Sequence, residues 1–490
     1  MSSVRTNETI NRSPQFSFLS KDQKETIFHG MLKVLADTGA NVHHEGAREI
    51  FKKHGCKVDG IRVYIPPGVV RKALASLPLM TTIYDWEGNE KIYAEENRSY
   101  FGPGPTLVYF KDPETNERRK CLREDATTVA RVCDALPNIE FVEGLISISD
   151  VNRGMEDVYE FADMIQNTTT PIMAWAFNRG GAKDLHRIGI IMAGGEEAFK
   201  KKPNYILYSE PISPLVSDFH AIDKLMYCAE HGIPQDYSPC AIGGATVPAT
   251  HAGQITVALS ESMVGVVLSQ LINPGTCVIL GGVQAPLDMY RAIYSYGSPE
   301  LNPLCGGLTE MSKFCGIPMF GTSGCTDTKT MEIQSGIEAA LSIHTSMLTG
   351  ANFVHDNGYT ESGKTGDIFQ TVMDDEIISM ARFIEQGLDV SDEALATDVI
   401  NNVGPGGHYL YEDHTMKWFR KHWRPSLMDR QSYEDWVGTG SKTMKERIVN
   451  KTQDIIQNYE GPISKVPEEV KKDINKVIEG AEERVHREGP

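Results

Sequence analysis

Short apolar runs alternate with amphipathic, helix-like segments from Asp125 onward. The runs predict seven strands, at 141–147, 171–177, 205–209, 236–242, 277–282, 318–322 and 351–355. Helices alternating with short apolar strands are typical of a parallel sheet. Residues 398–400 are the candidate for an eighth strand. Seven or eight such units over about 270 residues favour an α/β fold of the (β/α)8 TIM-barrel type over an open Rossmann sheet.

The two ends of the chain have different patterns. Helices are predicted within 21–55, and β-rich runs with hairpin turns at EGN and DPETN follow between 81 and 121. We therefore expect an N-terminal α+β cap over residues 1–125, the TIM barrel over 126–403 and a C-terminal helical extension over 404–490. The aromatic front of the extension should pack on the barrel. Its charged end, from Pro467 to Val485, is interpreted as a solvated helix or an oligomer contact.

One strand–loop–helix–strand unit, residues 318–363, is the predicted centre of function. Small residues at 321–324 end its first strand, and Thr326 or Asp327 is expected to cap the helix. Apolar residues at helical spacing should form the buried face of that helix: Ile333, Ile337, Ala340, Leu341 and Leu348. Ligands bind where parallel strands end, so loop 321–327 and the polar cluster 355–361 should face one pocket.

Composition excludes several classes of function. The 490 residues carry a net charge of −18, which disfavours nucleic acid and anionic membranes as partners. The N-terminal stretch lacks an apolar signal region, and no run suggests a membrane span, so a soluble, cytoplasmic protein is expected. The nine cysteines show no metal-binding spacing and are interpreted as buried hydrophobes, with Cys325 held open because it lies in the central loop. No metal site is expected.

Three long segments, 243–275, 325–363 and 402–448, together with DWEGNEKIY and YFGPGPTLVYFKDPETNERRKCL, resemble the trimethylamine:corrinoid methyltransferase (MttB) superfamily. The resemblance implies a TIM barrel that moves a methyl group from a methylated amine to Co(I) of a separate corrinoid protein. It also implies that the corrinoid (cobalamin) comes with the partner, that no cofactor is bound permanently, and that the chain forms a homo-oligomer.

The chain departs from the founding members of that family at one position. They carry pyrrolysine before a [ST]D[ST]K string, which here is 326–329, and the residues at the pyrrolysine position are Gly324 or Cys325. A quaternary ammonium is already a good leaving group, because its departure releases a neutral tertiary amine. The sequence therefore predicts a quaternary amine substrate, with glycine betaine first and proline betaine, carnitine or γ-butyrobetaine as alternatives.

The candidate site residues follow from this substrate. A trimethylammonium head has no N–H and is bound by aromatic faces, each worth about 0.5–2 kcal/mol. The candidate aromatic residues are Tyr100, Phe101, Trp175, Tyr208, Phe320 and Tyr359. Glu210 and Glu361 could balance the charge or orient water, and the candidates for the substrate carboxylate or the pocket wall are His251, Gly324, Cys325, His355 and Asn357. For each of them the alternative is core packing, a salt bridge, a helix cap or a turn.

The expected mechanism is in-line displacement on a positioned methyl group, with no general base required. A barrel that binds a betaine without transforming it, as a sensor or scaffold, is the alternative from another class. A metal- or radical-dependent barrel enzyme is a further alternative, and the lack of clustered Cys and His ligands counts against it.

Overall fold

The computed structural model describes residues 15–78 and 80–489, with helices and short strands throughout. The helices are α1 Lys21–Lys33, α2 Glu45–Lys53, α3 Pro67–Leu74, α4 Arg123–Ala135, α5 Glu156–Asn167, α6 Arg179–Met192, α7 Glu196–Lys201, α8 Phe219–His231, α9 His251–Ile272, α10 Leu301–Phe314, α11 Ile333–Thr349, α12 Ile368–Glu385, α13 Asp392–Leu395, α14 Thr397–Val403, α15 Asp413–Trp418, α16 Tyr433–Gly438, α17 Met444–Asn458 and α18 Glu468–Glu488. The strands are β1 Ala40–Val42, β2 Lys57–Asp59, β3 Arg62–Tyr64, β4 Thr81–Tyr84, β5 Glu90–Ala94, β6 Tyr100–Phe101, β7 Tyr109–Lys111, β8 Arg118–Lys120, β9 Ile172–Trp175, β10 Tyr205–Ser209, β11 Val216–Ser217, β12 Gln235–Tyr237, β13 Cys240–Gly243, β14 Val278–Gly281, β15 Val283–Asp288, β16 Ile293–Tyr294, β17 Met319–Thr322, β18 Phe353–His355, β19 Tyr359–Thr360 and β20 Thr365–Gly366. The first fourteen residues, on which the absence of a signal region was judged, lie outside the described part.

A curled parallel sheet of seven strands organises the molecule, in the order β6-β18-β17-β14-β12-β10-β9. At one edge, the main chain of Phe101 accepts hydrogen bonds from the N–H groups of Glu140 and Phe141. At the other edge, Val142 bridges to Ile172 in parallel register. The fold is thus a mixed α/β fold with a curled half-barrel, and residues 140–142 carry main-chain hydrogen bonds to both of its edges.

The predicted strands agree with the structure in part. The prediction at 205–209 matches β10, while the run at 236–242 is two strands, β12 in the main sheet and β13 in a smaller one. The predicted strand at 141–147 contributes the bridge at Val142. The candidate eighth strand at 398–400 is wrong, because these residues lie in α14. The sheet instead takes Tyr100 and Phe101, which pair with Phe353 and Val354.

The interior of the curled sheet has two layers. Side chains of a strand alternate between its faces, so residues two apart point to the same side. The lower layer is apolar and includes Tyr100, Phe141, Met173, Ile206, Ile279, Phe320 and Phe353. The β4–β5 hairpin covers it from below with Ile83, Ile92 and Ala94. Two residues further along four of the strands stand Glu143, Trp175, Tyr208 and His355, and there the interior becomes polar.

The larger core lies outside the sheet, where the helices pack against its outer face. Helix α9 is its longest apolar element, and by length and composition alone it could cross a membrane. However, 78% of its most apolar window is buried against the rest of the protein, which is the arrangement of a core helix. The run was not recognised as a span candidate in the sequence because Ser, Thr and Glu interrupt it.

Helix α11 differs from its prediction at both its start and its face. Its N-cap is Glu332, while Asp327 accepts hydrogen bonds from the hydroxyls of Ser295 and Ser362. The expected core residues Ile333, Ile337 and Leu341 are 82%, 56% and 55% exposed. Leu348 of the predicted face is buried, together with Ile343 and Met347. The rest of the buried face consists of small residues, among them Ser335, Ala339, Ser342 and Ser346. These let the helix approach the sheet closely.

The C-terminal region has two parts with different packing. Helices α17 and α18 are attached to the body: α17 contacts α12 and α4, and α18 buries Ile474, Ile478 and Ala481 and lies on α5 and α6. Arg484 of α18 also pairs with Asp184 at 2.9 Å. The charged end is therefore half-buried. The aromatic front of the extension, which begins at residue 404, was expected to pack on the barrel, yet Leu427 is the one buried residue in the fully described stretch 386–443 before α17.

Candidate active site

Carboxylates gather where the strands of the curled sheet end. Glu143 follows the bridge at Val142, Asp236 lies in β12, Glu210 follows β10, and Asp356 follows β18 beside His355. Besides burial, the charges of Asp356 and Asp236 raise the pKa of Glu143, that of Glu210 raises the pKa of Asp236, and that of Asp356 raises the pKa of Glu210, so the four form a single electrostatic cluster. We call Glu143, Asp236, Glu210 and Asp356 the acid cluster.

Glu143 is a fully buried member of the acid cluster. Its side chain is 0% exposed, and neither carboxylate oxygen has a hydrogen-bond partner in the described part of the chain. Nδ1 of His355 lies 4.0 Å from Oε2 of Glu143. Burial, followed by the negative charges of Asp356, Asp236 and Glu160, raises the pKa of Glu143 well above its ordinary value. An unpaired buried carboxylate of this kind indicates a site for a positive ligand.

Asp236 is, like Glu143, a buried carboxylate with an oxygen that lacks a described hydrogen-bond partner. It is 0% exposed, and one oxygen accepts a hydrogen bond of 2.7 Å from the hydroxyl of Ser238. Its other oxygen is buried without a partner among the described residues. Burial raises the pKa of Asp236 well above normal, and hydrogen bonds from Ser238 and the main chain offset only part of that effect.

His355 and Asp356 lie in the cluster at the end of β18. Nδ1 of His355 lies 2.6 Å from Oδ1 of Asp356, and the hydroxyl of Thr322 donates to Asp356. Asp356 adopts φ +72°, in the left-handed region where a non-glycine residue is uncommon and strained. Gly104 packs against this carboxylate, and a Cβ there would overlap Oδ1 of Asp356 and the hydroxyl of Tyr359. The Gly-Pro-Gly turn at 102–104 is thus needed for close approach.

Aromatic rings line the same end of the sheet. Phe320 stacks on the His355 ring with centroids 4.0 Å apart and planes 7° from parallel, and Tyr208 lies 6.0 Å from Phe320. Trp175 pairs in register with Tyr208 and donates to Glu160 at 3.2 Å. Across the cluster, three tyrosines, Tyr294, Tyr296 and Tyr359, have centroids 4.9 and 6.3 Å apart along the row. Burial raises the pKa of all three phenols, and so does the nearby Asp356.

Glu210 stands at the solvent side of the cluster. Its carboxylate accepts a hydrogen bond of 2.9 Å from the Tyr208 hydroxyl, and the residue is exposed. The protein that surrounds it still desolvates it enough to raise its pKa, although Tyr208 and the charge of Lys224 act in the opposite direction. An exposed side chain with a raised pKa is the combination expected at the rim of a concave site. Lys224 is itself buried, with Nζ donating to the carbonyl of Ala176 at 2.5 Å.

Several candidates from the sequence come together here: Trp175, Tyr208, Glu210, Phe320, Cys325, His355 and Tyr359. Cys325 is fully buried, and its Sγ donates to the carbonyl of Tyr296 at 3.4 Å. Burial and the charge of Asp356 raise the pKa of its thiol well above normal. Gly324 faces elsewhere, because a Cβ on it would overlap Oδ1 of Asn357 and approach Asp374.

The other candidates lie apart from the acid cluster. Tyr100 belongs to the apolar lower layer and its hydroxyl accepts from the N–H of Tyr93, whereas Phe101 faces outward with Arg382 at 5.8 Å. His251 is exposed at the first turn of α9. Asn357 is buried and ties the turn at Gly102 to β18 through its amide.

Glu361 also lies apart, in an ion pair with Arg118 at 2.7 Å and a hydrogen bond from Thr365. Burial acts to raise its pKa, but these two partners lower it overall. Its role here is to join two small strands, since Arg118 lies in β8 and Thr365 in β20 of the same small sheet.

Sequence reasoning missed Glu143, Asp236, Asp356, Tyr294 and Tyr296. Glu143 and Asp236 lie inside runs that were interpreted as continuous strands, and a lone carboxylate in an otherwise apolar run was the available signal. Asp356 was included in the polar cluster 355–361 without a role of its own. Tyr294 lies in β16 and Tyr296 follows it. Strand β16 pairs with β15 outside the main sheet, and no strand was predicted at these residues.

The site combines buried carboxylate oxygens without donors and aromatic ring faces, an arrangement that attracts a cation. Aromatic faces beside the acids add cation–π attraction. Among the described residues, no three or more His, Cys, Asp or Glu side chains are arranged to hold a metal ion.

Comparison with proteins of known structure supports this fold. The chain is similar to the crystal structure of the Methanosarcina barkeri monomethylamine methyltransferase MtmB, with a TM-score of 0.51 and 10% identity over 91% of this chain and 89% of that one. A second structure, the hydroxylamine complex of MtmB, gives the same TM-score at 11% identity. At this identity the likeness concerns the fold.

Comparison of sequences identifies relatives of higher identity and a family. The chain is 30% identical to a glycine betaine methyltransferase of Desulfitobacterium hafniense, covering 92% of this chain and 94% of that protein. It is 29% identical to a trimethylamine methyltransferase MttB of the same species and 28% identical to one of Methanosarcina barkeri, in each case over more than nine-tenths of both chains. The family model described as trimethylamine methyltransferase (MTTB) matches residues 2–485. The chain therefore belongs to the trimethylamine methyltransferase (MTTB) family.

Proposed function

We propose that this protein transfers a methyl group from a quaternary amine to Co(I) of a separate corrinoid protein. The observation that carries the proposal is the acid cluster, in which buried carboxylate oxygens without hydrogen-bond donors stand beside aromatic rings. Glycine betaine is our first candidate substrate, in keeping with the 30% identical relative of that name. Proline betaine, carnitine and γ-butyrobetaine remain the alternatives.

The residues divide the work of binding between two ends of the substrate. Glu143 and Asp236 hold the ammonium by charge, and Phe320, Tyr208 and Trp175 offer ring faces to its methyl groups. His355 has a buried Nε2 without a partner among the described residues, and this atom is the candidate contact for a substrate carboxylate. Glu210 lies at the open rim and is the group closest to an approaching partner.

The reaction needs orientation and exclusion of water more than proton transfer. The C–N bond breaks with its electron pair remaining on nitrogen, which releases a neutral tertiary amine, and the methyl carbon bonds to the electron pair of cobalt that the corrinoid protein brings. The cation loses its charge as it reacts, so the acid cluster must hold it without favouring the ground state strongly. Acids with raised pKa values hold a cation less strongly than fully ionised ones, which suits this requirement.

As part of this proposal, the curled sheet is closed into a complete barrel. We infer that residues 140–142 act as the remaining strand between Phe101 and Ile172, since main-chain hydrogen bonds run to both edges. The ring would then contain eight strands with Tyr100 and Phe101 as the first. The division into cap, barrel and extension at residues 125 and 403, a cytoplasmic location and a homo-oligomeric state stay predictions.

The test is turnover with defined components. The purified chain is incubated with a reduced corrinoid protein and one betaine at a time, and formation of methylcobalamin is followed by absorbance. We expect conversion with at least one quaternary amine and none with the corresponding tertiary amine. Binding of a betaine without conversion would favour the sensor or scaffold, and no conversion or binding of any quaternary amine would reject the proposal.

A further inference from the structure

A pocket of about 490 Å³ lies at the end of the curled sheet opposite to the acid cluster. Its wall includes Pro318, which comes just before β17, and Asn352, which comes just before β18, whereas the acid cluster lies where the strands end. Pockets that bind small molecules have volumes of about 300–1,000 Å³. The cavity is therefore large enough for a small ligand, and we call it the lower pocket.

Lys313, near the end of α10, brings an amine to the lower pocket. The residue is half-buried, and its Nζ donates to the carbonyl of Thr349 at 2.5 Å and to Oδ1 of Asn97. Gly350 makes this approach possible, because a Cβ at that position would overlap Nζ. Gly350 ends α11 with φ +76°, a left-handed conformation that glycine adopts without strain. The amine is thus held in a defined position.

Two carboxylates near Lys313 are engaged by other cations. Glu310, three positions earlier on α10, lies 2.6 Å from Nζ of Lys24. Glu95 of the pocket wall lies 3.1 Å from Nε of Arg98. These pairs leave the amine of Lys313 to its two neutral acceptors.

The hydrogen bonds of Lys313 suit a neutral amine. A neutral amine has two N–H groups and one lone pair, whereas an ammonium has three N–H donors. Thr349 and Asn97 accept two hydrogen bonds, and the described residues supply no third acceptor. In the neutral form, both N–H groups are therefore satisfied and the lone pair stays available.

The ionisation of Lys313 agrees with these contacts. Burial lowers its pKa to about 8, while the charge of Glu310 opposes this shift, that of Lys24 adds to it and that of Glu385 opposes it. At pH 7 about one-tenth of such a lysine is neutral, compared with less than about 0.1% of a lysine with the ordinary pKa of about 10.4. Lys313 is therefore in the nucleophilic form far more often than an exposed lysine.

We propose that Lys313 is a nucleophile of the lower pocket and binds a small, uncharged carbonyl compound, such as an aldehyde, as an imine. Desolvated lysines are the side chains that form such Schiff bases in proteins. The lone pair of Nζ attacks the carbonyl carbon, both N–H protons pass to the carbonyl oxygen, and water leaves as the C=N bond forms. An uncharged ligand fits this pocket because Glu95 and Glu96 also line it and would repel an anion.

The site is separate from the proposed methyl transfer, because the lower pocket and the acid cluster lie at opposite ends of the strands. If Lys313 served only to join α10 to α11, it would use the same two hydrogen bonds. Such a link would show no selective reaction with an aldehyde. The experiment therefore measures covalent capture, and methyl transfer is not its readout.

The experiment traps the imine in the full chain. The protein is incubated with propanal and cyanoborohydride near pH 7, and alkylated lysines are quantified by peptide mass spectrometry. Lys313 should be alkylated about 10-fold or more faster than exposed lysines, because its neutral fraction is roughly 100-fold larger. The α-amino group, with an ordinary pKa of about 7.7–8.0, is quantified separately. Unfolding the chain in urea should abolish the preference, since burial is its cause.

Two matched variants control the labelling. Lys313→Arg keeps a cation that can donate to Thr349 and Asn97 but is not a nucleophile at this pH. The folded variant should lose the preferred label. Lys21→Arg changes a side chain that is 84% exposed and should leave the labelling of Lys313 unchanged.

A second measurement separates a pocket that selects its ligand from a lysine that is merely reactive. Glyoxylate, an anionic aldehyde, should show a smaller preference for Lys313 than propanal does, and Glu96→Gln, a change at an exposed residue, should raise that preference. Labelling of Lys313 at the rate of the exposed lysines overturns the proposal. An equal preference with propanal and glyoxylate overturns it as well, because the lower pocket would then not select an uncharged ligand.

Discussion

Two layers inside the same curled sheet differ completely in chemistry although they lie two residues apart on the same strands. Phe141, Met173, Ile206 and Phe353 fill the lower layer, and Glu143, Trp175, Tyr208 and His355 take the corresponding places above. The lower layer removes apolar surface from water and stabilises the fold. The upper layer keeps unpaired acids away from water, which costs stability that only a bound cation would return. The difference separates residues kept for folding from residues kept for function.

The largest effect should come from the lower layer. Phe353→Ala removes a fully buried ring that packs edge-on against Phe141 at 6.0 Å. We expect a loss of about 3–5 kcal/mol in the free energy of unfolding, from lost burial and a cavity. Urea denaturation measures it. If Phe353→Ala lowers the free energy of unfolding by less than a typical surface substitution does, the lower layer does not form the core of the sheet.

Replacing Glu143, a fully buried acid, should affect activity strongly and stability little. Glu143→Gln keeps the shape but removes the charge that would attract a quaternary ammonium. Methyl transfer should fall about 100-fold, equivalent to about 2.7 kcal/mol, while the free energy of unfolding stays equal or rises. Single-turnover kinetics and urea denaturation on the same sample check both. Unchanged transfer by a stable variant would remove Glu143 from the site.

The pH dependence of stability should sharpen the contrast between the layers. Glu143 and Asp236 have folded pKa values raised above their unfolded ones, so the folded state binds more protons, and stability falls as pH rises above about 4 toward the folded values. Each group contributes up to about 1.4 kcal/mol per pH unit in that window. Thermal unfolding between pH 5 and pH 8, in wild type and in Glu143→Gln with Asp236→Asn, measures the slope.

The double variant should reduce this slope without abolishing it. Asp157 and Glu261 also have raised pKa values, about 6 and about 7, and both remain. Asp356, Glu160 and His355 face Glu143 and are unchanged as well. A slope identical to wild type would show that the acids of the upper layer are not the source. Added quaternary amine should flatten the wild-type curve, because a bound cation favours the ionised acids.

The smallest effect is expected at a carboxylate outside both layers. Glu361→Gln breaks a partly exposed pair with Arg118, and such pairs contribute about 0.2–1 kcal/mol. Methyl transfer should change less than twofold. This variant is the charge-matched control for Glu143→Gln in the same assays, and a fall in transfer as large as that of Glu143→Gln would return Glu361 to the catalytic candidates.

Local patterns predicted elements well where burial and periodicity agree. The run at 205–209 is wholly apolar on its inner side and corresponds residue for residue to β10. The first strand of the sheet was missed because Tyr100 and Phe101 are two residues long, and their partner lies more than 250 positions away. Such pairing depends on tertiary structure and leaves no periodic signal.

The sequence also shows that a stripe exists on α11 without showing what covers it. Ile333, Ile337 and Leu341 recur at helical spacing, and spacing alone predicts a buried face. The buried side carries Ile343, Met347 and Leu348 among several serines and an alanine, since small residues allow close packing. The acid cluster could not be predicted for a related reason. In the sequence, Glu143 and Asp236 are single acidic residues in predicted strands, and only the fold brings four strand ends to one place.

The pairing of Tyr100 and Phe101 with Phe353 and Val354 limits how this protein can be divided. A fragment beginning after residue 125 would expose the free backbone N–H and C=O groups of β18, and exposed strands of that kind recruit other chains into aggregates. Phe16 adds a further main-chain tie to Leu348. A minimal catalytic unit would therefore have to keep the early residues, and a shortened protein that stayed soluble would need a substitute strand in their place.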